Sequence, residues 1–277
     1  NSIYFGCRSP HLPLELGYAK ALLEAAGHRV LMLDGHLCEC SNEDLAGEVA
    51  AFRPDMTVVT TAPSYLFWRC AQPELRMPME FLLALGGRGG TTVAVGPHSS
   101  ATPATVLRKL GVDIAVLGEC EEVIARLADA RSLAEVPSIA YRAGGGVEIN
   151  GAPAAADFGK TPALRWPDEW IARHHHHHHR FDREPDGPGA EVEASRGCPY
   201  ACTFCAKMDF RDRYRRRDLT SLIEEIDGLL AQGVTYLYFI DEIFLPNAEL
   251  LDALAERGVA FGVQTRIDLW KPDMLDA

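Results

Sequence analysis

Short apolar segments alternate with longer amphipathic ones along the first 130 residues of the chain. The short segments are rich in β-branched residues and are bounded by Gly, Pro or Asp, so each predicts a β-strand. They lie at Ile3–Phe5, Arg29–Leu33, Met56–Thr61, Thr92–Val95 and Ile114–Leu117. The amphipathic segments predict helices at Leu14–Ala26, Asn42–Phe52, Pro78–Leu85, Pro103–Leu110 and Glu121–Ala130. This alternation predicts a doubly wound, flavodoxin-like α/β domain with a parallel sheet.

In such a sheet a ligand binds beyond the carboxyl ends of the strands. The loop Gly96–Thr102 offers backbone amides and three hydroxyl groups beside a predicted helix N-terminus, which suits a phosphate, an amide or the polar edge of a macrocycle. A Gly-x-Gly-x-x-Gly dinucleotide motif is absent from this domain. Ser, Thr and Pro residues also cap helices and form turns, so the loops alone leave a ligand site and a structural role equally open.

Residues 131–187 interrupt the alternation and predict a linker. Ser138–Tyr141 and Val147–Asn150 flank the sequence Arg-Ala-Gly-Gly-Gly, which predicts a β-hairpin. The linker also contains six consecutive histidines, His174–His179. Because the run is internal, it is expected to be native, either as a solvated or partly packed polar segment or as a metal or ligand site.

Composition narrows the class of protein. The chain has 277 residues, of which 47% are hydrophobic, enough for two domains with buried cores. Its 39 acidic residues outnumber the 27 basic ones, and the net charge of -12 argues against nucleic acid or an anionic membrane as the main partner. No apolar run is long enough for a membrane span. We therefore expect a cytoplasmic protein whose beginning has been trimmed, since it starts at Asn1 with no leader.

Three of the eight cysteines, Cys198, Cys202 and Cys205, are closely spaced after a predicted strand at Glu191–Ser195. Three thiolates on one loop can converge on a metal centre. A structural zinc site normally needs a fourth ligand from a second knuckle, and no matching pair follows Cys205. An iron-sulfur cluster held by three cysteines leaves one iron open for a substrate or cofactor. Three unligated cysteines are the remaining alternative.

The segment Cys198–Cys205 resembles the Cys-x3-Cys-x2-Cys motif of radical S-adenosylmethionine (SAM) enzymes, including the aromatic residue, Phe204, before the last cysteine. The first domain is similar to the cobalamin-binding domain that one large subgroup of this family carries. The resemblance implies a 4Fe-4S cluster on the three cysteines, SAM on the open iron, and cobalamin in the first domain, bound base-off without a histidine ligand. It divides the chain into a cobalamin-binding-like domain, 1–130, the linker, 131–187, and the first half of a (β/α)6 barrel, 188–277.

The downstream pattern fits this barrel, with a helix at Leu219–Gln232 and strands at Tyr236–Ile240 and Phe261–Thr265. Asp241 and Glu242 follow the second strand, where the resemblance implies a carboxylate that binds the SAM ammonium group, although a helix cap or salt bridge is the alternative. Arg266 follows the third strand and is a candidate for the SAM carboxylate or the substrate, or for a structural ion pair. Five arginines precede this helix: Arg211, Arg213, Arg215, Arg216 and Arg217. We interpret most of them as a solvent-exposed segment before the helix, and one or two as groups that neutralise the charge of the cluster, the cofactor or the substrate.

The candidate site residues come from the resemblance and from the loops that follow the predicted strands of the first domain. The cysteines are the metal ligands; the candidates for cofactor binding are Phe204, Asp241, Glu242, Arg266, Ser64, Gly96, His98, Ser99, Gly118 and Glu119. The leading hypothesis is methylation of an unactivated carbon in a small molecule, with a flavodoxin- or ferredoxin-type reductant. The alternatives are a rearrangement or oxidation with the same cofactors, and a non-catalytic iron-sulfur or zinc module. Since a family barrel has about six β/α units, the second half is expected to be missing and the activity of this chain alone is doubtful.

Overall fold

The computed structural model describes residues 11–62, 75–174, 187–205 and 213–275. They form two compact units. The first runs from Glu15 to Ala156, and the second comprises 157–275 together with the short segment 11–14. The predicted domain boundaries at 130 and 187 stay predictions.

The first unit contains one five-stranded sheet with helices on both faces. Its strands are β1 Met56–Thr60, β2 Thr91–Val95, β3 Ile114–Val116, β4 Ile139–Ala143 and β5 Gly146–Asn150, in the order β1-β2-β3-β4-β5. Its helices are α1 Leu14–Ala25, α2 Asn42–Phe52, α3 Arg76–Leu85, α4 Pro97–Ala101, α5 Pro103–Leu110 and α6 Glu121–Asp129. The predicted doubly wound fold is confirmed.

Alternation of side chains along β2 explains why both faces are covered. Val93 and Val95 pack in one cluster with residues of α1 and α6, whereas Ala94 packs in the opposite cluster with residues of α3 and α5. Several helix ends follow the local chemistry of the sequence. Ser41 and Asp44 form a capping box at the start of α2, and Gly86 and Gly111 end α3 and α5 in the left-handed conformation.

The structure differs from the prediction in how the sheet is completed. No strand is described at residues 29–33, although Val30 and Leu33 pack against the core; the neighbour predicted for them, Ile3–Phe5, lies outside the described residues, so this pair of strands stays a prediction. The sheet is mixed, because β1, β2 and β3 are parallel but β4 and β5 run antiparallel. The predicted hairpin is present as β4 and β5. It extends the sheet, since buried Ile139 and Ala140 of β4 join the core.

The second unit contains a three-stranded parallel sheet, the beginning of the predicted barrel. Its strands are β6 Gly189–Val192, β9 Tyr236–Phe239 and β10 Ala260–Gly262, in the order β10-β9-β6, and a separate antiparallel pair is formed by β7 Ser195–Arg196 and β8 Arg215–Arg216. Its helices are α7 Asp168–Arg173, α8 Leu219–Ala231, α9 Ala248–Arg257 and α10 Pro272–Leu275. The apolar face predicted for α8 is buried through Leu222, Ile226 and Leu229.

Residues 157–174 pack within the second unit, although their sequence shows little periodicity. The Gln232 side chain after α8 donates to the Trp166 carbonyl and to Asp168 at 2.8 and 2.6 Å. The Leu164 amide donates to the buried Glu225 carboxylate of α8 at 2.7 Å. Polar contacts of this kind leave no hydrophobic periodicity in the sequence, so the sequence alone predicts a linker here.

Candidate functional site

The three cysteines lie on the loop that β7 and β8 enclose. β7 continues from the carboxyl end of β6, and it pairs with β8 so that Arg196 is opposite Arg215. Asp241 follows the carboxyl end of β9 and Arg266 lies four residues after the end of β10. Because all three strands are parallel, their carboxyl ends meet at one edge of the sheet, the place where barrel enzymes carry their chemistry.

The cysteine loop presents reduced, accessible thiols. Cys198 and Cys202 are half-buried and Cys205 is exposed, and the Cys205 amide donates to the Cys202 carbonyl at 3.1 Å. The Phe204 ring beside them is 90% exposed. Within the described ranges, no group of three His, Cys, Asp or Glu side chains is arranged to hold a single metal ion.

Asp241 binds β7, the strand that leads into this loop. Its side chain is buried, with one oxygen accepting from the Ala194 amide at 2.9 Å and the other bonded to the Ser195 hydroxyl. Burial raises the pKa of Asp241 to about 8, against the lowering effect of these hydrogen bonds, and the neighbouring Glu193 and Glu242 raise it further. A pKa raised by burial favours the uncharged form of this carboxyl group at neutral pH.

Glu242 holds the first residue of the loop. Its carboxylate accepts from the Gly197 amide at 2.8 Å, and the side chain is only half-buried. Gly197 has a φ of 80°, a left-handed conformation that L side chains rarely adopt. Of the two carboxylates predicted from sequence, Glu242 is the one that remains accessible beside the cysteines.

Arg196, immediately before Gly197, is fully buried. Its guanidinium makes a bidentate pair with Glu193, with Nη2 to Oε2 at 2.8 Å, and it lies 4.5 Å from the centre of the Phe158 ring. A buried charge is tolerated only when it is paired in this way. Residues 193–197 are therefore held individually, so the backbone that enters the cysteine loop is rigidly placed.

Arg266 contacts the loop through Tyr200. Its guanidinium lies 4.7 Å from the centre of the Tyr200 ring and makes a bidentate ion pair with Asp268 at 2.9 and 3.0 Å. The side chain is about half exposed. The structural ion pair considered from the sequence is present, and it orients the guanidinium over the cysteine loop.

The candidates in the first unit lie on two neighbouring loops. The Ser100 hydroxyl donates to the Gly96 carbonyl and accepts from the Gly118 amide at 2.9 Å, which joins the loops. The predicted loop after β2 is largely the short helix α4, with Gly96 at its N-cap and a φ of 104°. His98 is half-buried on α4, and the fully buried Ser99 hydroxyl makes no hydrogen bond within the described residues. Ser64 lies outside these residues.

Gly118 and Glu119 contact the segment after β5. A Cβ atom on Gly118 would lie 2.3 Å from the Ala154 carbonyl oxygen, and the buried Glu119 carboxylate accepts from the Ala156 amide at 2.6 Å. Both residues therefore make close contacts within the first unit, and their part in cofactor binding stays a prediction.

Sequence reasoning missed a buried polar cluster on β6. The Glu191 carboxylate accepts from the Leu12 amide and contacts His11 at 2.7 Å and His174 at 3.2 Å. His174 is fully buried, so the first residue of the histidine run packs in the core, while 175–179 lie outside the described residues. The only signal was the pair of glutamates, Glu191 and Glu193, in a strand that is otherwise apolar. Their partners are distant in sequence, which hid the cluster.

Comparison with known proteins agrees with this organisation. Residues 7–128 match the family model described as the B12 binding domain. This match confirms the predicted similarity of the first domain to a cobalamin-binding domain.

Three relatives illustrate the similarity. The chain is 26% identical to an uncharacterized methyltransferase, PH0819, of Pyrococcus horikoshii, covering 85% of this chain and 50% of the relative. It is 27% identical to the anaerobic magnesium-protoporphyrin IX monomethyl ester cyclase of Cereibacter sphaeroides, covering 94% and 44%. The solved structure of the radical SAM methyltransferase TsrM from Kitasatospora setae, with cobalamin and a [4Fe-4S] cluster bound, shares the fold with a TM-score of 0.67 at 22% identity, covering 89% and 48%. The chain thus spans about half the length of these relatives.

Proposed function

We propose that this chain belongs to a cobalamin-dependent radical SAM enzyme that methylates an unactivated carbon of a small molecule. The observation that carries the proposal is the cysteine loop at the carboxyl edge of the parallel sheet, on the same chain as a domain that matches the B12-binding model. A cluster of this type must be reduced before it acts. The cysteine thiols that would bind it stay reduced only in a reducing compartment, so the proposal includes a cytoplasmic location.

The residues present fit both cofactors. Cys198, Cys202 and Cys205 supply three thiolates for a 4Fe-4S cluster and leave a fourth iron for SAM. In the first unit, the buried Ser99 hydroxyl makes no hydrogen bond within the described residues, so it offers a donor to a ligand that brings its own acceptor. When bound, the cluster supplies an electron that cleaves SAM homolytically, and cobalamin supplies the methyl group.

The side chains around the cysteines divide the remaining tasks. Glu242 fixes the Gly197 amide and presents a half-exposed carboxylate, which suits the SAM ammonium group. Arg266, oriented by Asp268, offers a cation beside the loop, which suits the SAM carboxylate. The exposed Phe204 ring is placed to be covered by the bound cofactor. Asp241 acts through Ser195 and Ala194 rather than on the cofactor.

Anaerobic reconstitution with iron, sulfide and hydroxocobalamin tests the proposal. We expect about four irons per chain and one cobalamin, with cleavage of SAM after reduction. Cys202→Ala is expected to lose the cluster but keep cobalamin, while Cys40→Ala, an exposed cysteine outside the loop, is a matched control that keeps both. A stable content of one zinc and no iron in the wild-type chain would instead favour the metal-module alternative.

One comparison favours a second candidate, in which the same cofactors serve a cyclisation or oxidation without methyl transfer. The Cereibacter sphaeroides relative is named as a cyclase, and its identity to this chain is as high as that of the methyltransferase relative. Product mass distinguishes the two reactions, because methylation adds about 14 Da to the substrate and a cyclisation does not.

A further inference from the structure

Two cysteines of the first unit lie close together in the segment that leads into α2. Residues 34–41 have the sequence Asp-Gly-His-Leu-Cys-Glu-Cys-Ser, and we call them the dithiol turn. Cys38 is half-buried, Cys40 is exposed, and both carry a reduced thiol. Cysteine is usually among the most buried residues, as Cys120 is here. Packing therefore does not explain why Cys40 lies at the surface.

Hydrogen bonds hold the backbone of the dithiol turn. The Asp34 carboxylate accepts from the His36 amide at 3.0 Å, and the Asp34 carbonyl accepts from the Cys38 amide at 3.0 Å. The Cys40 amide donates to the Gly35 carbonyl, also at 3.0 Å. The two residues that carry the thiols are thus each bonded to the start of the turn, and their backbone has a defined conformation.

Glu39, between the two cysteines, folds the chain back on itself. Its φ of 56° is a left-handed conformation that is uncommon for any residue except glycine. Because consecutive Cα atoms are about 3.8 Å apart, those of Cys38 and Cys40 are at most about 7.6 Å apart in an extended chain. A turn at Glu39 shortens this separation towards the roughly 4.4–6.8 Å that a disulfide spans. The Cys40 thiol also points back along the chain, since its Sγ donates to the Cys38 carbonyl at 3.6 Å.

We propose that Cys38 and Cys40 form a reversible redox site, which closes to a disulfide by exchange with a small disulfide molecule. The exposed Cys40 thiolate attacks one sulfur of that molecule and displaces a thiolate. Cys38 then attacks the Cys40 sulfur and displaces the second thiolate. The two cysteines lose two electrons and two protons in total, and the small disulfide gains them as two thiols.

The position of the pair makes the bond labile. A disulfide between residues two positions apart closes a small, strained ring, and strained or exposed disulfides are the ones that thiols reduce easily. Cys40 directly precedes Ser41, the N-cap residue of α2, so closure acts at the start of that helix. The inference is independent of the proposed function, because it concerns the first unit and needs neither cofactor.

Peptide mapping tests the inference on the whole chain. Trypsin cleaves after Arg29 and Arg53, and the peptide 30–53 contains Cys38 and Cys40 and no other cysteine. The cluster-free chain is incubated anaerobically with bis(2-hydroxyethyl) disulfide, which is uncharged and so is not repelled by the acidic turn. We expect this peptide to lose about 2 Da and to resist alkylation. Excess reduced glutathione is expected to restore both alkylation sites.

Three variants separate the chemistry from the geometry. Cys38→Ser is expected to stop at the mixed disulfide on Cys40, which adds about 76 Da to the peptide. Glu39→Pro and Glu39→Gly both remove the carboxylate, but only proline is excluded from a φ of 56°. We expect closure to be at least about tenfold slower in Glu39→Pro and within about threefold of the wild-type rate in Glu39→Gly. Circular dichroism and melting temperatures check that each variant folds.

The wild-type chain in urea gives the same comparison without a substitution, and closure there is expected to be slower than in the folded chain. Equal rates in the folded chain, in Glu39→Pro and in urea would overturn the inference, because closure would then need no turn. Two separate mixed disulfides on the wild-type peptide, or a bond from either cysteine to a different peptide, would overturn it as well. A disulfide that reduced glutathione does not reopen would contradict its reversibility.

Discussion

The Asp241 carboxyl group is bonded to the Ser195 hydroxyl, and this contact joins the end of β9 to the strand that leads into the cysteine loop. The two residues are separated by 46 positions in sequence. Asp241 belongs to the pair that sequence reasoning assigned to the cofactor, but its burial gives it a structural part. Glu242, its neighbour, remains at the surface of the loop.

Asp241→Asn is expected to remove a pH dependence of stability. The folded pKa of about 8 is above the ordinary value of 3.8, so folding favours the protonated form. The stability from this group is complete below about pH 4 and falls as the pH rises towards about 8, by on the order of a few kcal/mol at most. Asparagine keeps the neutral shape, so the melting temperature of the variant is expected to fall less between about pH 6 and 8. Parallel curves for the two proteins would show that Asp241 is ionised in the folded chain.

The two adjacent carboxyl groups are expected to differ in their effect on SAM. Glu242→Gln removes an accessible charge beside the cysteines and is expected to weaken SAM binding to the reconstituted chain by about tenfold, or roughly 1.4 kcal/mol. Asp241→Asn is expected to leave that affinity within about twofold, because the neutral amide reproduces the hydrogen bonds of a protonated carboxyl group. Equilibrium dialysis with labelled SAM gives both numbers, and the reverse ranking would assign the contact to Asp241.

Arg196→Ala is expected to destabilise the second unit by about 3–5 kcal/mol, since it leaves the Glu193 carboxylate buried without its bidentate partner. Chemical denaturation followed by tryptophan fluorescence measures the loss. Arg126→Ala breaks an exposed pair with Glu122 and is expected to cost less than about 0.5 kcal/mol. A similar small cost for both variants would mean that water reaches Glu193.

Gly118→Ala and Gly145→Ala form a matched pair, because the two glycines have φ values of 82° and 83°. Both substitutions carry the left-handed penalty of about 1–2 kcal/mol. Only Gly118 also faces a backbone oxygen 2.3 Å from the new Cβ atom, whereas nothing lies within 4 Å of that atom at Gly145. Gly118→Ala is therefore expected to lower the melting temperature clearly more. Equal decreases would show that the Ala154 segment moves away at little cost.

Among the described residues, the structure contains no helix with the length and hydropathy of a membrane span.

The histidine run was predicted only in part. Its internal position argued for a native segment, but the burial of His174 against Glu191 depends on a contact between β6 and a residue 17 positions earlier.

Local sequence patterns were enough to predict several helices and strands of this protein. Periodicity located α2 and α5 at their observed bounds and placed β1, β2 and β3 within one residue, because amphipathic spacing and β-branched runs act over a few neighbouring positions. The spacing of Cys198, Cys202 and Cys205 likewise predicts a metal centre on the loop, because three thiolates so close in sequence can bind one centre.

The tertiary structure alone determines which strands pair, which polar side chains are buried and which partner each of them contacts. The sequence pattern of the β4–β5 hairpin is the same for an isolated hairpin and for one that joins a sheet. Its pairing with β3 depends on a contact between segments that are separated in sequence. Asp241 and Glu242 are chemically alike and adjacent, yet burial neutralises one and leaves the other beside the cysteines. Their different roles depend on burial and on hydrogen bonds between residues that are tens of positions apart. A local sequence pattern does not reveal such contacts.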